Sequence, residues 1–117
     1  MTRTPEYEAK TIDGKTYFSR VYPSDISRYI RHAEAFAAQF DPHDETPNVR
    51  FSMWLGESLA LAWKDIAQGE TLLAFRGLLQ VKEYVGRIGG YPPGYIADAI
   101  LALRNELEAA VQAKEAA

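Results

Sequence analysis

The chain has 117 residues, of which 47% are hydrophobic and 12% aromatic, a composition that suits one globular domain and not a disordered chain. It contains no cysteine, which excludes disulfides, thiolate metal sites and thiol catalysis. The formal net charge is −3 and no segment forms a strongly basic stripe, which argues against generic binding to a phosphate backbone.

The N-terminal residues Met1-Thr2-Arg3-Thr4-Pro5-Glu6 carry no apolar h-region, so no secretory signal is expected. Residues 6–22 read as a β-hairpin. Two β-rich runs flank Asp13-Gly14, a dipeptide that supplies the two positive φ angles of a type I′ turn. This register places Thr11 opposite Thr16, Ala9 opposite Phe18 and Tyr7 opposite Arg20, and the face with Tyr7, Ala9, Phe18 and Tyr22 is the one suited to packing. A two-stranded hairpin is marginal alone in water, so it needs the helices, a second copy or a partner's strand.

Pro23-Ser24-Asp25 opens the first helix, over 24–40, with Ser24 as N-cap. Ile26, Ile30, Ala33, Ala37 and Phe40 recur at spacings of three and four on one face. Asp41 to Asn48 is a polar loop with two prolines. The second helix, 47–68, starts at Pro47 with Thr46 or Asn48 as cap and stops at Gly69, a natural C′ residue. It is apolar nearly all round and is expected to be central, with helices three and four closing around it. Its small residues Ser52, Gly56 and Ala60 suit close approach by a neighbour, and Trp54 and Trp63 read as core aromatics. The run from Phe51 to Trp63, broken by Ser52, Glu57 and Ser58, is too short for the roughly 20 residues a membrane span needs.

In the third helix, 70–88, Ala74, Leu78, Val81, Val85 and Ile88 form the buried line, and Leu72, Phe75 and Leu79 widen it. The short Gln68–Thr71 connection implies antiparallel packing on helix two. Gly89-Gly90-Tyr91-Pro92-Pro93-Gly94 ends this helix abruptly. The fourth helix, 94–114, is expected to bury Ile96, Ile100, Leu103, Leu107 and Val111. The fold class is therefore mainly α: an N-terminal β-hairpin followed by a compact bundle of about four antiparallel helices in a single domain, 1–117.

Residues 33–48 hold four carboxylates, Glu34, Asp41, Asp44 and Glu45, and no Lys or Arg, the one local electrostatic anomaly. His43 among them invites a metal reading, but the spacing matches neither an EF-hand nor a zinc helix. Acids complementing the start of helix two, or attracting a basic partner, are the better readings. His32 has no visible catalytic partner, and the serines at 19, 24, 27, 52 and 58 lack a nucleophile-elbow context. No glycine cluster fits a nucleotide-binding motif, and no helix has the basic face a major-groove reader requires. Pro92-Pro93-Gly94-Tyr95 has the form of a WW-domain ligand, but the favoured reading is a rigid interhelical turn.

The reading is a non-enzymatic protein-binding protein, cytoplasmic, with no cofactor, no metal, no membrane and no direct nucleic-acid contact. Its partner-facing residues are Glu8 and Tyr17 on the hairpin, Glu34 on helix one, Asp41, Asp44 and Glu45 in the loop, and Tyr91 in the rigid turn. In size, acidity and a hairpin leading a helical bundle, the chain resembles the small phage-made inhibitors of host machinery, above all anti-CRISPR proteins. The resemblance implies binding to a Cas subunit or effector complex, a larger protein partner met through a basic surface that normally holds nucleic acid. The alternative is a structural or self-assembling phage or bacterial protein, homodimeric through the hairpin edge. A metal-dependent enzyme centred on His43 and a DNA-binding regulator come after these.

Overall fold

The computed structural model describes residues 26–116, with side chains from 26 to 112, and the backbone course alone over 6–12 and 14–21. The packing face predicted for 6–22 and the N-cap expected at Ser24 lie outside the described side chains. Four helices make up the rest: α1 (Ile26–Ala38), α2 (Pro47–Ala67), α3 (Thr71–Arg87) and α4 (Gly94–Ala116).

Local chemistry sets their ends. α1 stops two residues before the predicted Phe40, because Asp41 precedes Pro42 and is disfavoured in the helical region. Phe40 still donates its N–H to the Ala37 carbonyl at 3.3 Å and sets its ring edge-on to Phe36 at 5.2 Å, so it packs from a turn. α2 begins with Pro47, whose missing N–H costs nothing in a first turn. It ends in a Schellman motif: Gly69 at φ +78° donates to Ile66 O, and Glu70 donates back to Asp65 O at 2.8 Å. α4 starts against the Pro93 carbonyl, which accepts from both Ile96 and Ala97.

The contacts fix the arrangement. Gly56 faces Ala33 and Ala37 while Trp63 stacks on Tyr29, so α1 and α2 run antiparallel. Gly77 faces Ala62 while Tyr84 meets Phe51 and Trp54, which makes α3 antiparallel to α2. α4 returns along α3, with Leu107 beside Leu78 at one end and Ala97 beside Val85 at the other. Its start touches α1, where Tyr95 meets His32 and Phe36. The central α2 is thus flanked by α1 and α3, and not by helices three and four as the sequence suggested. α4 closes the bundle on the diagonal. Trp63, fully buried, spans that diagonal by donating its indole N–H to the Ala99 carbonyl at 3.2 Å.

The core is built from Leu55, Leu59, Trp63, Val81, Ile96 and Leu103. Three groups of residues depart from their expected places. Leu72, Phe75 and Leu79 are exposed and do not widen the core face of α3, because α4 packs against the Leu78–Val85 side and leaves them on its shoulder. Val111, near the end of α4, is likewise about half exposed. Trp54 is only partly buried, in an aromatic cluster with Phe51 and Tyr84 under the guanidinium groups of Arg50 and Arg87.

Candidate functional site

Beside the α1–α2 seam lies an open cleft of about 590 Å³. The seam itself is tight because Gly56 presents no side chain to α1. Alongside it, Ala37 and Ala60 carry only methyl groups, too small to fill the adjoining space, so they become the cleft's floor. Met53, Leu61 and Phe40 supply apolar walls, and Glu34, Glu57 and Lys64 stand among the lining residues. Pro42 reaches in from the connecting loop, which puts the acidic segment 41–45 next to the cleft.

Glu34 and Lys64 approach to 3.8 Å, with both side chains about half exposed. Such a pair is screened and contributes little to stability, so both groups are free to rearrange toward a partner. Glu57 is exposed and has no ion pair among the described residues. The charged lining is thus Glu34 and Glu57 against Lys64, and the loop that supplies Pro42 also carries Asp41, Asp44 and Glu45.

The loop acids also have local work. Asp41 Oδ1 accepts the His43 N–H at 2.9 Å, and Asp44 Oδ1 accepts the Thr46 N–H at 2.8 Å. These are Asx turns that carry the chain into α2. Thr46 is the N-cap residue, but its side chain makes no cap bond to the helix. The Thr46 hydroxyl, and then its N–H, hold the Asp44 carboxyl below its ordinary value of 3.8, against a smaller opposing effect of desolvation. A folded pKa below the unfolded one means the contribution is present above the unfolded value and is lost as pH falls through the folded one. Asp44 therefore stays ionised wherever the protein is folded near neutrality. Carbon-detected titration should put its midpoint below 3.8, and Thr46→Val should raise that midpoint. An unchanged midpoint in the variant would show that the hydroxyl is not the cause.

Glu34 lines the cleft, and the loop that carries Asp41, Asp44 and Glu45 reaches it through Pro42. Tyr91 lies elsewhere, almost wholly exposed beside the α3–α4 face. The side chains of Glu8 and Tyr17 lie outside the described ones. Glu57, Met53 and Leu61 were missed from sequence, since they sit within the apolar run of α2, where Glu57 reads only as an interruption. Their spacing of four was the available signal, placing three consecutive turns on one face.

Among the described residues no three His, Asp or Glu side chains come together as a metal site, so His43 and its acidic neighbours form no chelating cluster. His32 packs edge-on to Tyr95 at 5.5 Å, and this contact also engages the tyrosine of the Pro-Pro-Gly-Tyr motif. No helix among the described residues is long and apolar enough to cross a membrane. No protein-family model, no curated protein and no solved structure matches the chain.

Proposed function

We propose that the chain is a non-enzymatic protein-binding protein that receives a basic surface of a larger partner at the α1–α2 cleft. One observation carries this reading: an open, apolar-floored cleft is lined by Glu34 and Glu57 against Lys64, and the loop that bears Asp41, Asp44 and Glu45 enters it at Pro42. Lysine and arginine side chains are amphipathic, with apolar stems and charged heads. A floor of Ala37 and Ala60 with Met53 and Leu61 as walls suits the stems, and the surrounding acids suit the heads. The excess negative charge also speeds encounter with a positive partner, an effect that weakens with salt.

The hairpin belongs to the same proposal. Antiparallel pairing of Glu6–Ile12 with Lys15–Val21, with Thr11 opposite Thr16 as the Asp-Gly turn demands, would give a partner a strand edge near Glu8 and Tyr17. The narrower version, an inhibitor that occupies the nucleic-acid-binding surface of a CRISPR-Cas effector or its nuclease, rests on the profile resemblance and assigns no further residue.

The test is capture of a partner from the native host with wild-type protein, followed by binding measurements on the purified pair. Glu34→Lys with Glu57→Lys, and separately lysine at 41, 44 and 45, should each weaken binding by about tenfold or more, mostly through slower association. Affinity should also fall between low and physiological salt. A partner that binds both variants like wild type would overturn the proposal.

A further inference from the structure

The face opposite the acidic cleft, between α3 and α4, has its own relief. Two cavities lie in line along it, one of about 540 Å³ walled by Phe75, Leu78, Leu107 and Val111, the other of about 290 Å³ walled by Val85, Pro92, Ile100 and Leu101. Lys82 and Arg104 line both and form the bridge between them. Arg104 is taken by Glu108 at 3.2 Å, whereas Lys82 has no ion pair among the described residues. Leu79 and Leu101, each more than half exposed, stand on the α3 and α4 sides of this face.

We infer that this groove docks an amphipathic α-helix of a partner protein, with two apolar anchors about two turns apart and a carboxylate between them facing Lys82. The spacing comes from α3 itself. Leu78 and Val85 mark the two sockets and are seven residues apart, about 10 Å at 1.5 Å per residue. A docked helix spans that distance with anchors at i and i+7, and a carboxylate at i+3 or i+4 then falls on the same face. The exposed Leu79 and Leu101 widen the apolar surface toward the roughly 10 Å diameter of a helix, where an extended strand would leave them in water.

Charge and shape choose the occupant. The charged residues that line the groove are Lys82, Arg104 and Glu108, and with Arg104 held by Glu108 the uncompensated charge is Lys82, for which the same face of a second copy offers only another Lys82. The acidic face of a second copy is itself a cleft, and two concave surfaces leave a void between them. A convex helix bearing carboxylates has neither defect. This inference is independent of the α1–α2 cleft.

The experiment uses the full chain and a displayed library of 18-residue amphipathic helices with randomised faces. Enriched helices are expected to share apolar residues at i and i+7 with Glu or Asp between them. In fluorescence anisotropy, the best peptide should lose about tenfold or more in affinity against Val111→Arg and against Leu101→Arg, one variant for each socket. Both residues are about half exposed, so the variants are expected to fold, which thermal melts check. Glu34→Lys with Glu57→Lys should leave the peptide's affinity unchanged, so failure of one face is read separately from failure of the other. Lys82→Glu should weaken the selected peptide and bind better the same peptide carrying Lys at its central acid. The inference is overturned if no helix is enriched, if the selected peptides ignore both socket variants, or if the charge exchange restores nothing. It is also overturned if sedimentation shows a dimer that Leu101→Arg dissociates, for then a second copy occupies the groove.

Discussion

Trp63→Ala is expected to destabilise the protein by about 3–5 kcal/mol, the range for truncating a large buried aromatic. The indole is fully buried and stacks on Tyr29 at 4.8 Å, and its N–H reaches the Ala99 carbonyl. It stands on α2 between α1 and α4, so its removal empties the position where three helices meet. Close packing cannot refill that space without moving a helix axis. Most domains have only about 5–15 kcal/mol in hand, so the variant will unfold at much lower urea. Trp63→Phe is the companion that still folds. It keeps an aromatic ring for Tyr29 but loses the N–H and part of the volume, and it should cost less, about 1–2 kcal/mol. Urea unfolding at constant m-value measures both. A loss below about 1 kcal/mol for the alanine variant would mean that Trp63 does not hold the diagonal.

Helix positions were legible because their punctuation is local. Pro47 and Gly69 mark the ends of α2 through missing or permitted backbone geometry, and the bonds at Gly69 and Glu70 follow from that glycine alone. Adjacency was less legible. An apolar helix announces that it is surrounded, but not by which neighbours. The sequence put helices three and four around α2, whereas the small pairs Gly56–Ala33 and Gly77–Ala62 bring α1 and α3 closest. Periodicity likewise could not separate the Leu78 line from the Phe75–Leu79 shoulder. Both are apolar at helical spacing, and only the placement of α4 decides which is covered.

The acidic side was half legible for a similar reason. Glu34 and the acids at 41, 44 and 45 are close in sequence, so a charge count finds them. Glu57 comes to the same cleft from the next helix, a relation set by antiparallel packing that no local window contains. The apolar floor was hidden altogether, because Ala37 and Ala60 look like core residues and are core residues. They also become a cleft floor because their methyl groups are too short to fill the space beside the seam.

Gly56 ties that cleft to the stability of the fold. A glycine in a helix interior costs about 1 kcal/mol relative to alanine, so its presence in the middle of α2 needs a compensating contact. A Cβ at 56 would lie 2.9 Å from the Ala33 carbonyl oxygen, the Ala37 nitrogen and the Ala37 Cβ. Two of these are backbone atoms, so α1 as a whole must retreat. Gly56→Ala is therefore expected to destabilise by about 1–3 kcal/mol in spite of its better helix propensity, the usual cost of overpacking. Gly86, on the exposed side of α3, would meet nothing within 4 Å of an added methyl group, and Gly86→Ala should stabilise by about 0.5–1 kcal/mol. One chemical change with opposite signs isolates the close approach from propensity, and thermal or urea unfolding of the two variants reads it directly. The two together also probe the proposed function. A retreating α1 carries Glu34 away from Glu57 and opens the cleft floor, so Gly56→Ala should weaken the basic partner at a temperature where the variant is still folded, while Gly86→Ala leaves it unchanged. Equal partner affinity in a folded Gly56→Ala variant would separate the seam from the site and leave the acids to act by charge alone.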